Sequence, residues 1–419
     1  MKLPDNEKII ISTEYPSHII EDFRTYLDYL KTHEIKLTRS KGYFTKNDLI
    51  SLYSQMKGEN KEVPNHATQL GYPILHLFYQ LSIVLDLIKV RRTSSSASAV
   101  IQQDRIDSFM ALTATEQYIS LLEAFWTEAD WEELQGELRG RVPRNIDYLF
   151  EKLEPFPANQ SIELNRYDDI EHLVSELGMF FYYFSHFGFW TFTIDEEKIN
   201  ELTSAKAIKL TPFFKKIQEV LYETWEPHTD QAQEQAFAQL AELFGFPDVP
   251  EEVPEEEETG EPQSLVSLLS PFFPREELST TLKKKEPSFK AGSYLFKVSL
   301  GSSCWRTLKL SSSHTLLDLH NVIQEAFEFN DDHLYAFYMD GVKFGKHYYN
   351  SPMDVSGPYV QEVKIGSLDL DEGQSFLYLF DFGDEWEFFL HVLAVNEEGE
   401  GDDPQVEEEL GDAPDQYDW

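Results

Sequence analysis

The sequence has little cysteine, few basic residues and no long apolar run. Its single cysteine, Cys304, excludes an internal disulfide. The most membrane-like run, residues 178–194, is shorter than the roughly 20 apolar residues that a membrane-spanning helix needs. It predicts a buried aromatic helix and turn instead. The N-terminal residues MKLPDNEKII lack the apolar core of a signal peptide, so we expect a cytoplasmic protein without a membrane partner.

Basic residues are scarce relative to acidic ones. The chain has 75 Asp and Glu against 35 Lys and Arg, which gives a formal net charge of −40. Such a chain repels polyanions except where lysines and arginines cluster locally. The clusters at residues 89–92, 138–144 and 283–285 are short, and we interpret them as surface positions. Nucleic acid is therefore a disfavoured partner, and a protein partner is expected.

The motifs that most often reveal an enzyme are absent as well. No P-loop, dinucleotide-binding glycine motif or G-x-S-x-G pattern occurs, and no histidine shows HExxH or cysteine-assisted zinc spacing. His320, His333 and His347 are therefore only weak candidates for metal ligands. For His320, a hydrogen-bonded position in the core is the alternative, because it lies on an apolar helical face. The sequence assigns neither a cofactor nor a catalytic residue.

Apolar and aromatic residues, by contrast, are plentiful. They make up 41% and 14% of the chain, which indicates a globular protein, and 419 residues allow two or three domains. Residues 1–246 are predicted to form a mainly helical module. Helix starts are marked by Thr45, by the pair Thr113 and Glu116, and by Thr211, since these side chains bind free N–H groups of a first helical turn.

An acidic segment separates this module from the rest of the chain. Residues 247–262 hold seven glutamates and four prolines, a composition that favours an extended, solvated linker. A last helix is predicted before it, over residues 231–244. The linker is predicted over residues 247–286, with a short apolar helix at SLVSLLSPFF, and a second domain follows over residues 287–419.

The second domain combines strand patterns with one helix. YLFKVSL and CWRTLKL resemble a hairpin, Thr315 and Asp318 open a helix, and Asp340 with Gly341 marks a tight hairpin turn. Further strands are predicted at VKIGSLDL, FLYLFDF and WEFFLHVLAV. The predicted fold class is multidomain: a mostly α N-terminal module plus a C-terminal α+β domain, a mixed sheet with one main packed helix.

One stretch of this domain is the strongest candidate for a chemical site. If FLYLFDF and WEFFLHV pair as antiparallel strands, Asp381, Asp384 and Glu385 lie at the reversal between them. We interpret these acids as turn residues. A metal or polar-ligand site is one alternative, because Mg²⁺ and Ca²⁺ prefer oxygen ligands, and an acid/base pair is another.

Three aromatic residues flank this turn. Tyr378, Phe382 and Trp386 are candidate binding residues, since tyrosine and tryptophan are enriched in interface hot spots. Core packing is the alternative for all three. Alternate residues of WEFFLHVL place apolar side chains on both faces of that strand, which predicts a central position in the sheet.

The C-terminal blocks also carry a resemblance. YLFKVSL, CWRTLKL, SHTLLDLHNVIQEAF, DDHLYAFYM, KIGSLDL, YLFDFGDEWEF and PQVEEELGDAPDQYDW resemble the plasmid pRiA4b ORF-three-like family, also described as passenger-type proteins of mobile elements. The resemblance implies a compact α+β domain and an association with mobile elements, but no established reaction. In the N-terminal region, IKLTRSKGYFTKNDLISL and AIKLTPFFKKIQEVL faintly resemble winged-helix edges, and a plain helical bundle is the preferred interpretation.

Together these observations favour a non-enzymatic interaction or regulatory protein. Two alternatives stay open. One is a metal-dependent enzyme acting on an anionic substrate, with the acids of the turn and one or more of the three histidines as ligands. The other is a nucleic-acid-binding regulator that acts through a winged-helix-like N-terminal module.

Overall fold

The computed structural model describes residues 8–58, 67–93, 96–136, 142–165, 168–194, 205–225, 264–285, 289–396 and 403–417. The chain divides into two compact units. The first comprises Met1–Ile35, Phe44–Lys89 and Ile101–Lys284, and the second comprises Lys36–Tyr43, Val90–Val100 and Lys285–Trp419. The predicted helix at 231–244 and the acidic segment at 247–262 lie outside the described residues, so the predicted domain boundaries stay a prediction.

The first unit is mainly helical, and its predicted helix starts are confirmed. Thr45 and Thr211 accept hydrogen bonds from the backbone of the turn that each one caps, and Thr113 with Glu116 forms a complete capping box. The helices are α1 (Ile19–Thr32), α2 (Lys46–Tyr53), α3 (Pro73–Val84), α4 (Gln103–Met110), α5 (Ala114–Glu123), α6 (Trp131–Gln135), α7 (Ile146–Leu153), α8 (Asp169–Glu176), α9 (Phe180–His186), α10 (Pro212–Glu223) and α11 (Leu265–Leu269).

Two three-stranded sheets repeat one arrangement. Most residues of the first sheet (35–37, 88–92 and 97–101) belong to the second unit, and the other sheet belongs to the first unit. The strand orders are β1-β3-β2 and β4-β6-β5. Around each sheet the chain runs helix, strand, helix, helix, strand, strand, and the last strand lies in the middle, which is the topology of a winged helix. The preferred interpretation as a plain helical bundle is therefore wrong. The strands are β1 (Ile35–Leu37), β2 (Ile88–Arg92), β3 (Ala97–Ile101), β4 (Ser161–Glu163), β5 (Trp190–Ile194) and β6 (Ala205–Leu210).

The aromatic run at residues 178–194 forms a buried helix and turn, as predicted, and continues into a strand. Helix α9 is followed by Gly188, which turns the chain with a φ of +74°, and then by β5. Phe180 of α9 stacks on Trp131 with ring centroids 4.2 Å apart. In the part of the chain that the structure describes, no helix is long and apolar enough to cross a membrane.

The second unit contains a seven-stranded sheet of order β10-β9-β11-β12-β7-β8-β13. Every neighbouring pair of strands is antiparallel, so the sheet is not mixed as predicted. Helix α12 (Leu316–Ala326) begins with the predicted capping box. The strands are β7 (Ser293–Ser299), β8 (Trp305–Ser311), β9 (Tyr335–Tyr338), β10 (Tyr348–Asn350), β11 (Ser375–Phe380), β12 (Trp386–Asn396) and β13 (Gln405–Leu410).

Most strand predictions hold, with two corrections. The hairpins β7–β8 and β11–β12 are confirmed, and β12 is the central strand. VKIGSLDL is not a strand. It contains the 3-10 turn Ile365–Ser367, because the N–H groups of Ile365 and Gly366 donate to carbonyls of the loop before α12. Gly341 does turn the chain with a φ of +69°, but the connection from β9 to β10 is longer than a tight hairpin.

The sheet has two unlike faces. The inner face packs against α12 and carries the main core of the second unit, which includes Tyr294, Phe296, Phe376, Tyr378 and Phe388. The outer face carries the alternate residues of the same strands. Part of it is a small apolar cluster of Ala336, Tyr338, Leu377 and Leu379, with Tyr348 and Phe382 packed against it.

Candidate functional site

The five residues between β11 and β12 form a turn around a buried carboxylate. Asp381 is 6% exposed, and its Oδ1 accepts hydrogen bonds from the N–H groups of Gly383 at 2.8 Å and Asp384 at 3.3 Å. Asp381 and Glu385 have positive φ, and the N–H of Glu385 donates to the carbonyl of Asp381 at 2.6 Å. Asp381 therefore holds the reversal of the chain together, as aspartate does in Asx turns.

The other two acids of the turn are exposed. Glu385 pairs with Lys343, whose Nζ lies 2.8 Å from a carboxylate oxygen of Glu385 and 2.8 Å from one of Glu387. Hydrogen bonds to these two carboxylates raise the pKa of Lys343. Asp384 offers its backbone N–H to Asp381. The three predicted acids thus lie in one turn, but they do not converge on a common point.

Tyr378 is fully buried on the inner face. Its hydroxyl accepts a hydrogen bond from Gln324 Nε2 at 2.9 Å and lies 2.7 Å from His320 Nδ1. With that hydroxyl as donor to Nδ1, the neutral imidazole carries its proton on Nε2, 3.2 Å from a carboxylate oxygen of Asp331. Burial raises the pKa of Tyr378 and lowers the pKa of His320. Both groups are therefore neutral members of a core network.

Phe382 and Trp386, the other two aromatic candidates, are half-buried. Phe382 packs against the outer-face cluster, 6.2 Å from the ring of Phe344. Trp386 packs on the inner side, with its ring centroid 5.0 Å from that of Phe329. A binding role for them stays a prediction, whereas Tyr378 reaches no surface.

The three candidate histidines do not build a metal site. Within the described ranges, no group of three or more His, Cys, Asp or Glu side chains is placed to hold a metal ion. His320 stacks on Tyr335 with centroids 3.7 Å apart, and His333 Nε2 lies 3.4 Å from Asp381 Oδ2. His347 is exposed. The metal-dependent alternative therefore finds no ligand set among these residues.

The third helix of each winged-helix repeat is unsuited to DNA. In helix-turn-helix proteins the second helix of the motif enters the major groove, and lysines and arginines on the phosphates supply most non-specific affinity. The corresponding helices here, α3 (PILHLFYQLSIV) and α9 (FFYYFSH), contain neither lysine nor arginine, and most of their residues are buried. These helices lend no support to the nucleic-acid alternative.

A cavity of about 530 Å³ lies in the second unit, on the outer face of the sheet. Its lining includes the cationic residues Arg39, Arg92 and Lys297 and contains no aspartate or glutamate. We call it the outer-face cavity. The other lining residues that bear on its chemistry are Ser299, Ser302, Trp305, Ser375, Phe389 and His391.

The strand register arranges the sheet residues beneath the cavity in two rows. Each row crosses β11, β12, β7 and β8, because residues paired across these strands share a face. The polar row is Ser375, His391, Lys297 and Thr307. The aromatic row is Leu377, Phe389, Ser299 and Trp305.

Neutral partners contact two of the three cationic side chains of the cavity, those of Lys297 and Arg92. Lys297 Nζ lies 4.3 Å from the ring centroid of Trp305, a cation–π contact. Arg92 Nη1 donates to the backbone carbonyl of Arg39 at 2.8 Å. Among the residues that the structure describes, no carboxylate forms an ion pair with any of the three. The charge of Lys297 is thus held in position without an ion-pair partner among these residues.

One acid, Asp340, lies near Arg92 without lining the cavity. Its Oδ1 accepts a hydrogen bond from the N–H of Val342 at 3.0 Å. Burial raises the pKa of Asp340, although this hydrogen bond and the charge of Arg92 act in the opposite direction. Asp340 is therefore the acid nearest to Arg92 that interacts with its charge, and it stands outside the lining of the cavity.

Sequence reasoning missed this cavity. Arg92 was recognised only as part of the basic cluster at 89–92, and Lys297 and His391 only as strand residues. The available signal was alternation: in SYLFKVS and WEFFLHV the polar residues Lys297 and His391 share a face opposite the core. Nothing in the local pattern places residue 92 beside them.

Comparison with known proteins finds a family model that is similar to the main segment of the second unit. A family model described as Plasmid pRiA4b ORF-3-like protein matches residues 293–415, so the predicted resemblance is confirmed. The uncharacterized protein y4hQ of Sinorhizobium fredii is 36% identical over 104 residues, which are 23% of this chain and 49% of that protein. The chain thus spans about half the length of this curated relative.

A solved structure matches over a similar share of the chain. It is the crystal structure of a protein of unknown function, MM3350, from Methanosarcina mazei Go1. The match has 26% sequence identity and a TM-score of 0.26, and it covers 30% of this chain and 72% of that one.

Proposed function

We propose that this protein is a non-enzymatic binding and regulatory protein, and that its second unit recognises an anionic ligand in the outer-face cavity. The observation that carries the proposal is the lining, with three cationic residues and no acid. In a chain of net charge −40, the long-range field repels anions. A local cationic patch whose lining contains no acid is what such a chain needs in order to bind one.

The chemistry of the lining supports this choice of ligand. Arginine binds carboxylate and phosphate with a planar set of donors, and lysine adds a point charge. The hydroxyl of Ser302, which also lines the cavity, is a further donor. A volume of about 530 Å³ is within the usual range for small-molecule sites. The cavity therefore suits a small anion better than an extended polyanion.

The arrangement of the potentially reactive side chains favours a binding function over a catalytic one. Ser375 and His391 are the nearest approach to a nucleophile with a base, with Oγ 2.8 Å from Nδ1. In described parts of the chain no carboxylate pairs with His391, so the group that orients the base in a catalytic triad is absent there. The acids of the turn at 381–385 are engaged in holding that turn.

A regulatory role with a protein partner, and the association with mobile elements, stay predictions. The cavity supports the binding step alone. Ligand binding in the cavity would serve regulation if it altered the affinity of the protein for a second partner. Such coupling is reciprocal, so the partner would alter the affinity for the ligand by the same factor.

Calorimetric titration of the full chain with pyrophosphate, in buffer containing a chelator, tests the proposal. We expect saturable binding, weakened about tenfold by Lys297→Ala, because a charge-assisted contact is lost. Lys309→Ala is the matched control, since Lys309 lies on the same face in β8 but does not line the cavity. Absence of binding to the unaltered chain, or equal weakening by both substitutions, would refute the proposal.

A further inference from the structure

The outer-face cavity is not only cationic, because one of its walls is an exposed aromatic ring. Phe389 is 45% exposed although it lies in the central strand of the sheet. Its neighbours along the chain, Phe388 and Leu390, are fully buried. Alternation alone accounts for which way Phe389 points, but it does not require a phenylalanine at that position.

The aromatic row leaves a gap beside this ring. Phe389 and Trp305 lie in the same row on β12 and β8, with Ser299 of β7 between them. Two strand spacings separate their backbones by about 9.6 Å, and side chains stand roughly perpendicular to a sheet. Ser299 lines the outer-face cavity between these two aromatic residues, and its small side chain leaves room beside Phe389, while Lys297 covers the ring of Trp305.

The donors for an anion lie one row away. Lys297 lies two residues from Ser299 along β7, and His391 lies two residues from Phe389 along β12. Two residues along a strand separate the backbone positions by about 6.6–6.8 Å. Ser375 Oγ lies 2.8 Å from His391 Nδ1. With Ser375 as the donor in that contact, the imidazole keeps its proton on Nε2, where it can donate to a ligand.

We propose that the ligand joins an aromatic ring to its anionic group, as a mononucleotide does. This inference rests on the proposed function and specifies its ligand class. The ring stacks on Phe389 above Ser299, and the anionic group meets Lys297 and Arg92. Proteins that bind single-stranded nucleic acid without sequence preference use the same combination, in which bases stack on aromatic side chains and cationic side chains meet the phosphates.

The test compares two probes on the same full-length protein. Adenosine monophosphate carries both ring and anion, whereas pyrophosphate carries the anion alone. We expect Phe389→Leu, which removes the ring but keeps apolar bulk, to weaken adenosine monophosphate binding fivefold or more and to leave pyrophosphate binding unchanged. Phe344→Leu is the matched control, because Phe344 is an exposed phenylalanine, 59% accessible, that does not line the cavity.

Two further results separate this inference from the function on which it rests. If pyrophosphate binds and depends on Lys297, but Phe389→Leu leaves adenosine monophosphate binding unchanged, the aromatic specificity is overturned and the anion site stands. If neither probe binds, both proposals fail. Lys297→Ala should weaken both probes, whereas loss confined to adenosine monophosphate would show that Lys297 does not meet the anion.

Discussion

Within the seven-stranded sheet, the inner and outer faces are made by alternate residues of the same strands and differ in their physical character. On the inner face of β12, Phe388 and Leu390 are fully buried in the core. On its outer face, Phe389 is 45% exposed and His391 lines a cavity that holds three cationic residues. One strand thus contributes to the stability of the fold on one side and to the candidate site on the other.

Polar groups on the two faces differ in the same way. The inner-face network of Tyr378, His320 and Gln324 is enclosed, and its members hydrogen-bond to one another. On the outer face, Lys297 rests on Trp305 and has no carboxylate partner among the described residues. Burial of a polar group, by itself, therefore does not indicate function. A charge that is held in position but not neutralised is the more informative sign.

Truncating adjacent residues of β12 should separate the two faces most clearly. Phe388→Ala should lower the free energy of unfolding by about 3–5 kcal/mol, because it opens a cavity in the core. Phe389→Ala should change it by less than about 1 kcal/mol, since the side chain is half in water. Chemical denaturation of the full chain measures both. Equal costs for the two substitutions would contradict the assignment of faces.

A smaller effect is expected from removing one hydroxyl of the inner network. Tyr378→Phe should cost about 1–3 kcal/mol, because Gln324 Nε2 and His320 Nδ1 lose their partner in a buried place. The control is Tyr348→Phe on the outer face, expected to change stability by no more than about 0.5 kcal/mol. Chemical denaturation measures the change in the free energy of unfolding for both variants. If Tyr378→Phe leaves that free energy unchanged, the network does not stabilise the core.

The smallest effect concerns the turn between β11 and β12. Asp381→Ala should cost about 1 kcal/mol, because two backbone N–H groups lose their acceptor. Asp384→Ala should have almost no effect on stability, since that side chain is exposed. Neither substitution should alter pyrophosphate binding by more than twofold. A large loss of binding in either variant would show that the substituted acid contributes to ligand binding.

Local signals predicted local structure well. Capping residues predicted helix starts, as at Thr113 and Thr315, because a cap acts within a single turn of helix. Alternation in WEFFLHVL predicted a central strand, since apolar side chains on both faces require neighbours on both sides. VKIGSLDL was assigned wrongly because its backbone hydrogen bonds go to the loop before α12, a contact that no local pattern records.

The candidate site was harder to predict because it is assembled from distant segments. Arg39, Arg92, Lys297 and His391 belong to four separate stretches of the chain, and only the fold brings them to one cavity. The acidic turn drew attention because its residues are adjacent in sequence. Adjacency there reflects the needs of a tight reversal, with Asp381 binding its own backbone.

The most direct test is a crystal structure of the full chain soaked with adenosine monophosphate at a saturating concentration. We predict that the nucleotide occupies the outer-face cavity, with its ring against Phe389 and its phosphate within hydrogen-bond distance of Lys297 or Arg92. A nucleotide bound elsewhere on the molecule, with the outer-face cavity empty, would contradict the account.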